Sequence, residues 1–274
     1  MKKNISAVII TKNEEERIRP CLESIKWADE IIIVDSFSTD KTIDICRGYT
    51  DKISQREMRG FGEQKQFAIE KAASDWILSI DADEVVTEEL RDEIQKILNK
   101  ETSSPSPPSE GGDKGEVEGG GYDGFKIFRK NIYLGRPMRY CGWYVPILRL
   151  FKRGKGRFNA KKVHEEIIVD GNVGLLKGEI LHNTYKNISH HLEKIDSFTT
   201  YDVDELTKKG VILKPSNCLW YLVFKPMVRF LQKFILQKGI FEGTHGLILS
   251  INAAMVVFIN YAKLWERQKE TKKD

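Results

Sequence analysis

Within the first hundred residues, short apolar runs alternate with longer mixed ones: ISAVII, EEERIRPCLESIKWA, EIIIVD, TDKTIDICRGY, DKISQ, FGEQKQFAIEKAA, WILSID and TEELRDEIQKIL. Short runs rich in Ile and Val, bounded by polar residues, predict strands buried on both faces, and the segments between them carry the helical spacing. Successive strands joined through a helix pair in parallel by right-handed crossovers. This half of the chain is therefore α/β, a mostly parallel sheet flanked by helices. Thr39 or Asp40 is the expected cap of the second helix.

Residues 101–121, ETSSPSPPSEGGDKGEVEGGG, interrupt the pattern with Ser, Pro, Gly and acidic residues. Such a stretch buries too little apolar surface to order itself and reads as a flexible surface insertion. After it, GFKIFRKNIYL and VPILRLFKR read as strands, and Gly174 to Ile180 as another. From Lys186 the chain is mostly helical. The expected organisation is a domain over 1–185 carrying the insertion, then a helical region over 186–274.

The 274 residues carry a formal net charge of +4, unevenly spread: Lys126 to Lys162 holds twelve Lys and Arg and no acid. Basic stretches alone would suit nucleic acid, but no recognisable nucleic-acid module accompanies them. Cys21, Cys46, Cys141 and Cys218 are widely spaced, as expected of a reducing cytoplasm. MKKNISAVIITKNEEE lacks the apolar core of a signal peptide, so the chain is expected to stay inside the cell.

Acidic residues gather where the apolar strands end. Asp35 closes EIIIVD, with Ser36, Ser38 and Asp40 after it, and Asp81, Asp83 and Glu84 follow WILS within a few positions. Ligands of parallel α/β sheets collect at the carboxyl ends of the strands. Paired carboxylates there suit Mg²⁺ or Mn²⁺, which take oxygen donors and leave positions for substrate phosphates. The plainer alternative is that Asp81 or Asp83 caps the helix beginning near Thr87. Asp-x-Asp also serves aspartyl phosphatases, but there it would follow the first strand, where Ala7 to Thr11 has no acid.

The segments AVIITKNEEERI, IIIVDSFSTDKTIDI, GFGEQKQFAIEKAASDWILSIDADE and LRLFKRGKGRFNAKKVHEEI resemble the inverting family 2 glycosyltransferases of GT-A fold. Among these, the chain looks most similar to bacterial lipopolysaccharide core enzymes that add β-linked glucose to heptose. The resemblance implies a GT-A nucleotide-diphospho-sugar transferase domain, a nucleotide-sugar donor such as UDP-glucose, a saccharide or glycolipid acceptor, and Mg²⁺ or Mn²⁺. It implies that Thr11, Asn13, Glu14 and Asp35 meet the base and ribose, and that Lys65 lies near the nucleotide or diphosphate, although Gln66 stands where an Asn is frequent. Asp83 matches the metal ligand and Asp81 the residue meeting ribose or metal. The His-Glu of KKVHEEIIV favours Glu165 as base or acceptor contact. Strand alternation points Glu165 and Glu166 to opposite faces, so only one enters a cleft easily, and Glu84 is a further candidate.

His182 reads as a metal ligand, a diphosphate contact or a structural residue. His190 and His191, opening a charged helical segment, read as surface. Trp143 and Tyr144 suit either sugar stacking or core packing. Arg136, Arg139, Arg149 and Arg153 are candidates for a diphosphate or an anionic acceptor. In WYLVFKPMVRFLQKFIL, Lys225, Arg229 and Lys233 recur every four residues on one helical face, while Phe224, Val228, Leu231 and Ile235 crowd another. A basic amphipathic helix of this kind suits the anionic inner face of the cytoplasmic membrane, which predicts peripheral membrane association. A scaffold that binds a nucleotide sugar without transferring it is the competing reading, and the intact Asp81, Asp83 and Glu165 speak against it.

Overall fold

The computed structural model describes residues 3–100, 121–159 and 166–270. The expected insertion, apart from Gly121, lies outside them, as do His164 and Glu165. Two compact units are distinguished: Met1–Lys130 with Val145–His182, and Asn131–Tyr144 with Asn183–Asp274.

The first unit is the α/β layout that the resemblance implied. Its sheet runs β3-β2-β1-β4-β8-β6-β11-β5. The strands are β1 (Ile5–Thr11), β2 (Glu30–Asp35), β3 (Ile53–Gln55), β4 (Trp76–Asp81), β5 (Glu84–Val86), β6 (Gly124–Tyr133), β8 (Tyr144–Lys152) and β11 (Val173–Tyr185); β7 (Arg136–Pro137), within the second unit, pairs with Ile132 and Tyr133 at the end of β6. The first four pair in parallel. The β4–β8 and β11–β5 pairs are antiparallel.

Strand alternation sorts the core onto the two faces of the sheet. Ile5, Ala7 and Ile9 of β1 and Trp76, Leu78 and Ile80 of β4 pack against α1 (Ile18–Ile25) and α4 (Glu88–Lys100). Val8, Ile10, Ile32, Val34 and Ile77 face α3 (Phe61–Glu70) and Phe151. With both faces covered, the strands need no polar alternation, hence their unbroken Ile and Val runs. Gly178 lets β11 lie close to α4, since a Cβ there would stand 2.4 Å from Leu90 Cα.

Two local expectations change. Helix α2 (Thr42–Arg47) has Lys41 in the capping position, but the Asp40 carboxylate still accepts the Thr42 N–H at 3.0 Å. Neither Asp81 nor Asp83 caps α4. The Thr87 hydroxyl accepts the Leu90 N–H at 3.3 Å, and β5 intervenes between the aspartates and the helix. That leaves both aspartates for other work.

The second unit holds α5 (Ile188–Lys208), α6 (Pro215–Leu219), a π-helical turn (Trp220–Phe224), α7 (Lys225–Leu231), a second π-helical turn (Gln232–Leu236), a 3-10 turn (Gly239–Glu242) and α8 (Gly243–Glu270). Asn187 caps α5 by accepting the His190 N–H at 2.8 Å. His191 is buried rather than on the surface: Nδ1 lies 3.1 Å from the Tyr133 hydroxyl and 2.9 Å from Asn252 Nδ2, and the ring stacks on Tyr185. Trp143 packs edge-on against Tyr133. Lys225 and Lys233 turn inward: Lys225 Nζ donates to the Tyr261 hydroxyl at 2.8 Å, and Lys233 Nζ donates to the Cys141 carbonyl at 2.7 Å. Among the described residues, one helical stretch, Gly239–Glu270, is long and apolar enough to cross a membrane by length and composition.

Candidate functional site

The strand order reverses at β1: the chain runs to β2 and β3 on one side and returns through β4 on the other. Loops leaving neighbouring strands in opposite directions open a crevice at such a switch point. The ladder sets three polar side chains along this edge, with Thr11 opposite Asp35 and Ile10 opposite Asp81.

The two loops beside β1 clasp each other. Asp35, fully buried, accepts the Ser38 N–H and the Gln55 amide, each at 2.9 Å. Asn13 sits in the left-handed region at φ 55°, which Asn tolerates better than most residues. Its N–H donates to Ser38 Oγ and its side-chain oxygen accepts the Thr39 N–H, both at 2.8 Å. The Glu14 N–H donates to Thr42 Oγ1 at 2.8 Å. Asn13, Glu14 and Asp35 thus build the rim that was expected to receive a nucleotide. The Thr11 hydroxyl, at the root of that rim, is buried and has no hydrogen-bond partner among the described residues. An unsatisfied buried hydroxyl is costly, and a ligand oxygen or amide would satisfy it.

Asp81 is gripped from both sides. One oxygen lies 2.7 Å from Lys65 Nζ, and the other accepts Arg149 Nη2 at 2.6 Å. The same guanidinium nitrogen donates at 2.7 Å to Glu84, which is fully buried at the start of β5. Glu84 in turn accepts the Asp81 N–H at 2.9 Å, closing a ring of two carboxylates around the Arg149 guanidinium, with Lys65 attached from outside at Asp81. Burial alone would raise the Asp81 pKa, but Arg149 and Lys65 outweigh it and hold the carboxyl well below the usual range. Burial likewise works against the Arg149 charge, and the two carboxylates overcome it. Arg149 is thus an internal counter-ion in this structure, and Glu84 is locked beneath Asp81.

Asp83 stands apart from this ring. Its Oδ2 lies 3.4 Å from His182 Nε2 on β11 and 3.4 Å from Arg17, whose guanidinium also forks onto Glu14 at 2.8 and 2.9 Å. Burial pushes the Asp83 carboxyl up, while His182 and then Arg17 bring it below its ordinary value. The Asp83–His182 pair fits a divalent ion. Donors 2.0–2.1 Å from an octahedral centre lie about 3 Å from each other, close to the separation found. Among the described residues, no group of three or more His, Cys, Asp or Glu gathers into a complete metal site. Two protein donors would leave the other positions of such an ion to substrate phosphates and water, as Mg²⁺ prefers.

Glu166 is exposed, and its backbone bonds with Asn159 where β9 (Gly156–Phe158) pairs with β10 (Ile167–Val169). Phe158 of β9 donates its N–H to Gln66 at 3.0 Å, tying this hairpin to α3. Sequence reasoning missed Arg17. Its signal was faint: a cation three residues after Glu14, just past the first strand.

Residues 6–149 match the model of glycosyl transferase family 2. The lipopolysaccharide core biosynthesis glycosyltransferase LpsC of Rhizobium meliloti is 30% identical over 96% of this chain and 92% of its own length. An uncharacterized glycosyltransferase of Rickettsia typhi is 30% identical over 96% of this chain and 87% of its own. Among solved structures, Staphylococcus aureus TarS 1–349 in complex with UDP-GlcNAc covers 98% of this chain and 92% of its own at 14% identity, with a TM-score of 0.46.

Proposed function

We propose that this chain, which belongs to glycosyl transferase family 2 and is related to a lipopolysaccharide core glycosyltransferase, moves glucose from UDP-glucose onto an inner-core heptose with inversion. The observation that carries the reading is the pairing of Asp83 with His182 beside Thr11, Asp35 and Asp81 at the switch point of the sheet. Thr11, Asn13, Glu14 and Asp35 hold the base and ribose, and Lys65 with Asp81 faces the diphosphate side. Asp83 and His182 hold Mg²⁺ or Mn²⁺. When bound, the ion supplies positive charge against the negative charge that develops on the departing diphosphate.

Glu165, with Glu166 as its alternative, takes the proton of the attacking acceptor hydroxyl, a role worth roughly 10²–10⁴-fold in rate. Attack from the face opposite the leaving group inverts the anomeric centre. Arg17 keeps Glu14 and Asp83 in fixed relation, so that the nucleotide and ion sites are built together. A lipid-linked acceptor places this work at the inner face of the cytoplasmic membrane.

The test is nucleoside diphosphate release from a panel of nucleotide sugars, with and without Mn²⁺. Metal-dependent release from UDP-glucose is expected, and loss of it in a folded Asp83→Ala variant. Release from no donor, or near-normal turnover by Asp83→Ala, contradicts the reading.

A further inference from the structure

The helical run 215–236 carries an apolar face that no other described residue covers. Leu219, Trp220, Val223, Val228, Ile235 and Leu236 are all exposed, Leu219 at 62% and Leu236 at 77%. Contiguous apolar exposure of this kind marks an interaction surface. Its cations are divided between two places. Lys225 and Lys233 turn away from the apolar face into bonds with Tyr261 and Cys141, whereas Lys214 and Lys238 stand exposed at the two ends of the run. From Leu206 to Phe241 there are seven basic residues and no acid.

We infer that this face, rather than the basic one, enters an anionic lipid surface, with the helix lying in the plane of the membrane. The inference rests on the membrane address proposed above and names the surface that provides it. An in-plane helix buries its apolar side at the boundary of headgroups and acyl chains, while terminal lysines reach phosphates. Three cations within 215–236 forbid it from spanning, because a spanning helix needs about 20 predominantly apolar residues. Helix α8 does not span either. Its Asn260, Lys263 and Arg267 bond to Asp202, Asp196 and Asp204 of α5, which a spanning α8 would carry toward hydrocarbon. A two-fold pairing of chains through this face would set like-charged lysines at its margins with no acid from the same segment to answer them.

Flotation of the full chain tests the inference, using phosphatidylcholine vesicles with and without phosphatidylglycerol. The wild-type chain should float with the anionic vesicles. Val228→Glu, and separately Lys214→Glu with Lys238→Glu, should lower partitioning about tenfold or more. Val228→Glu should still release UDP from UDP-glucose in vesicle-free buffer, which shows that the variant folds. Three results would overturn the inference: wild-type chain left unbound by anionic vesicles, Val228→Glu floating as wild type does, or a solution dimer that Val228→Glu dissociates. The two proposals fail separately. A chain that floats without releasing UDP keeps the membrane surface and loses the donor, and one that releases UDP without floating does the reverse.

Discussion

Arg149 lies in a stretch so basic that the sequence suggested a phosphate ligand. It is instead buried against Asp81 and Glu84, one nitrogen serving both. The motif Asp-Ala-Asp-Glu needs such a counter-ion inside the protein, because Glu84 has no access to water. Removing one partner of a buried ion pair leaves uncompensated charge, which typically costs about 3–5 kcal/mol. Arg149→Met should therefore lower unfolding free energy by about that amount in urea titrations, with loss of donor turnover following from a displaced Asp81. A change under about 1 kcal/mol would mean that Lys65 and Arg129 suffice to neutralise the pair. Asp83, by contrast, could be singled out from the sequence because it lies two residues past the end of an apolar strand. Arg17 was not, since nothing in EEERIRP separates a side chain reaching a distant aspartate from one on a solvated helix.

At the scale of elements, one buried imidazole joins α5 to both α8 and the end of β6. His191 meets Tyr133, Asn252 and the Tyr185 ring, with His190 beside it in the chain and His245 edge-on to Tyr133. Burial, with His190 adding to it, pushes the His191 pKa down to about 4. The unfolded chain takes up this proton near pH 6.5 and the folded one only near 4, so stability falls as pH drops through that window. The expected loss is up to about 3 kcal/mol. It should show as falling hydrogen-exchange protection of α5 between neutral pH and pH 4, and His191→Gln should remove the pH dependence. Protection unchanged across that range in the wild-type chain would contradict the assignment. Sequence alone put this histidine on the surface because His-His opens a charged helix, and its hydrogen-bond partners lie 58 and 61 residues away on either side.

For the whole molecule, the parallel half of the sheet was plain from the alternation of apolar runs with helical spacing, because β1 to β4 are fixed by local pattern. The antiparallel half was less so. Residues 84–86 read as the approach to a helix, yet they form β5 because β11, some 95 residues later, pairs with them. The helical region was legible as amphipathic, but which side turned inward depended on Tyr261 and the Cys141 carbonyl, contacts that no local pattern encodes. The reading of this chain as a sugar transferase depends most on a dication held by Asp83 and His182 beside the nucleotide. Crystals soaked with UDP-glucose and Mn²⁺, measured for anomalous scattering at the manganese edge, test it directly. A peak within ligand distance of Asp83 and His182, next to a diphosphate, is the predicted result. A nucleotide bound with no peak there, or with the ion elsewhere, would contradict it.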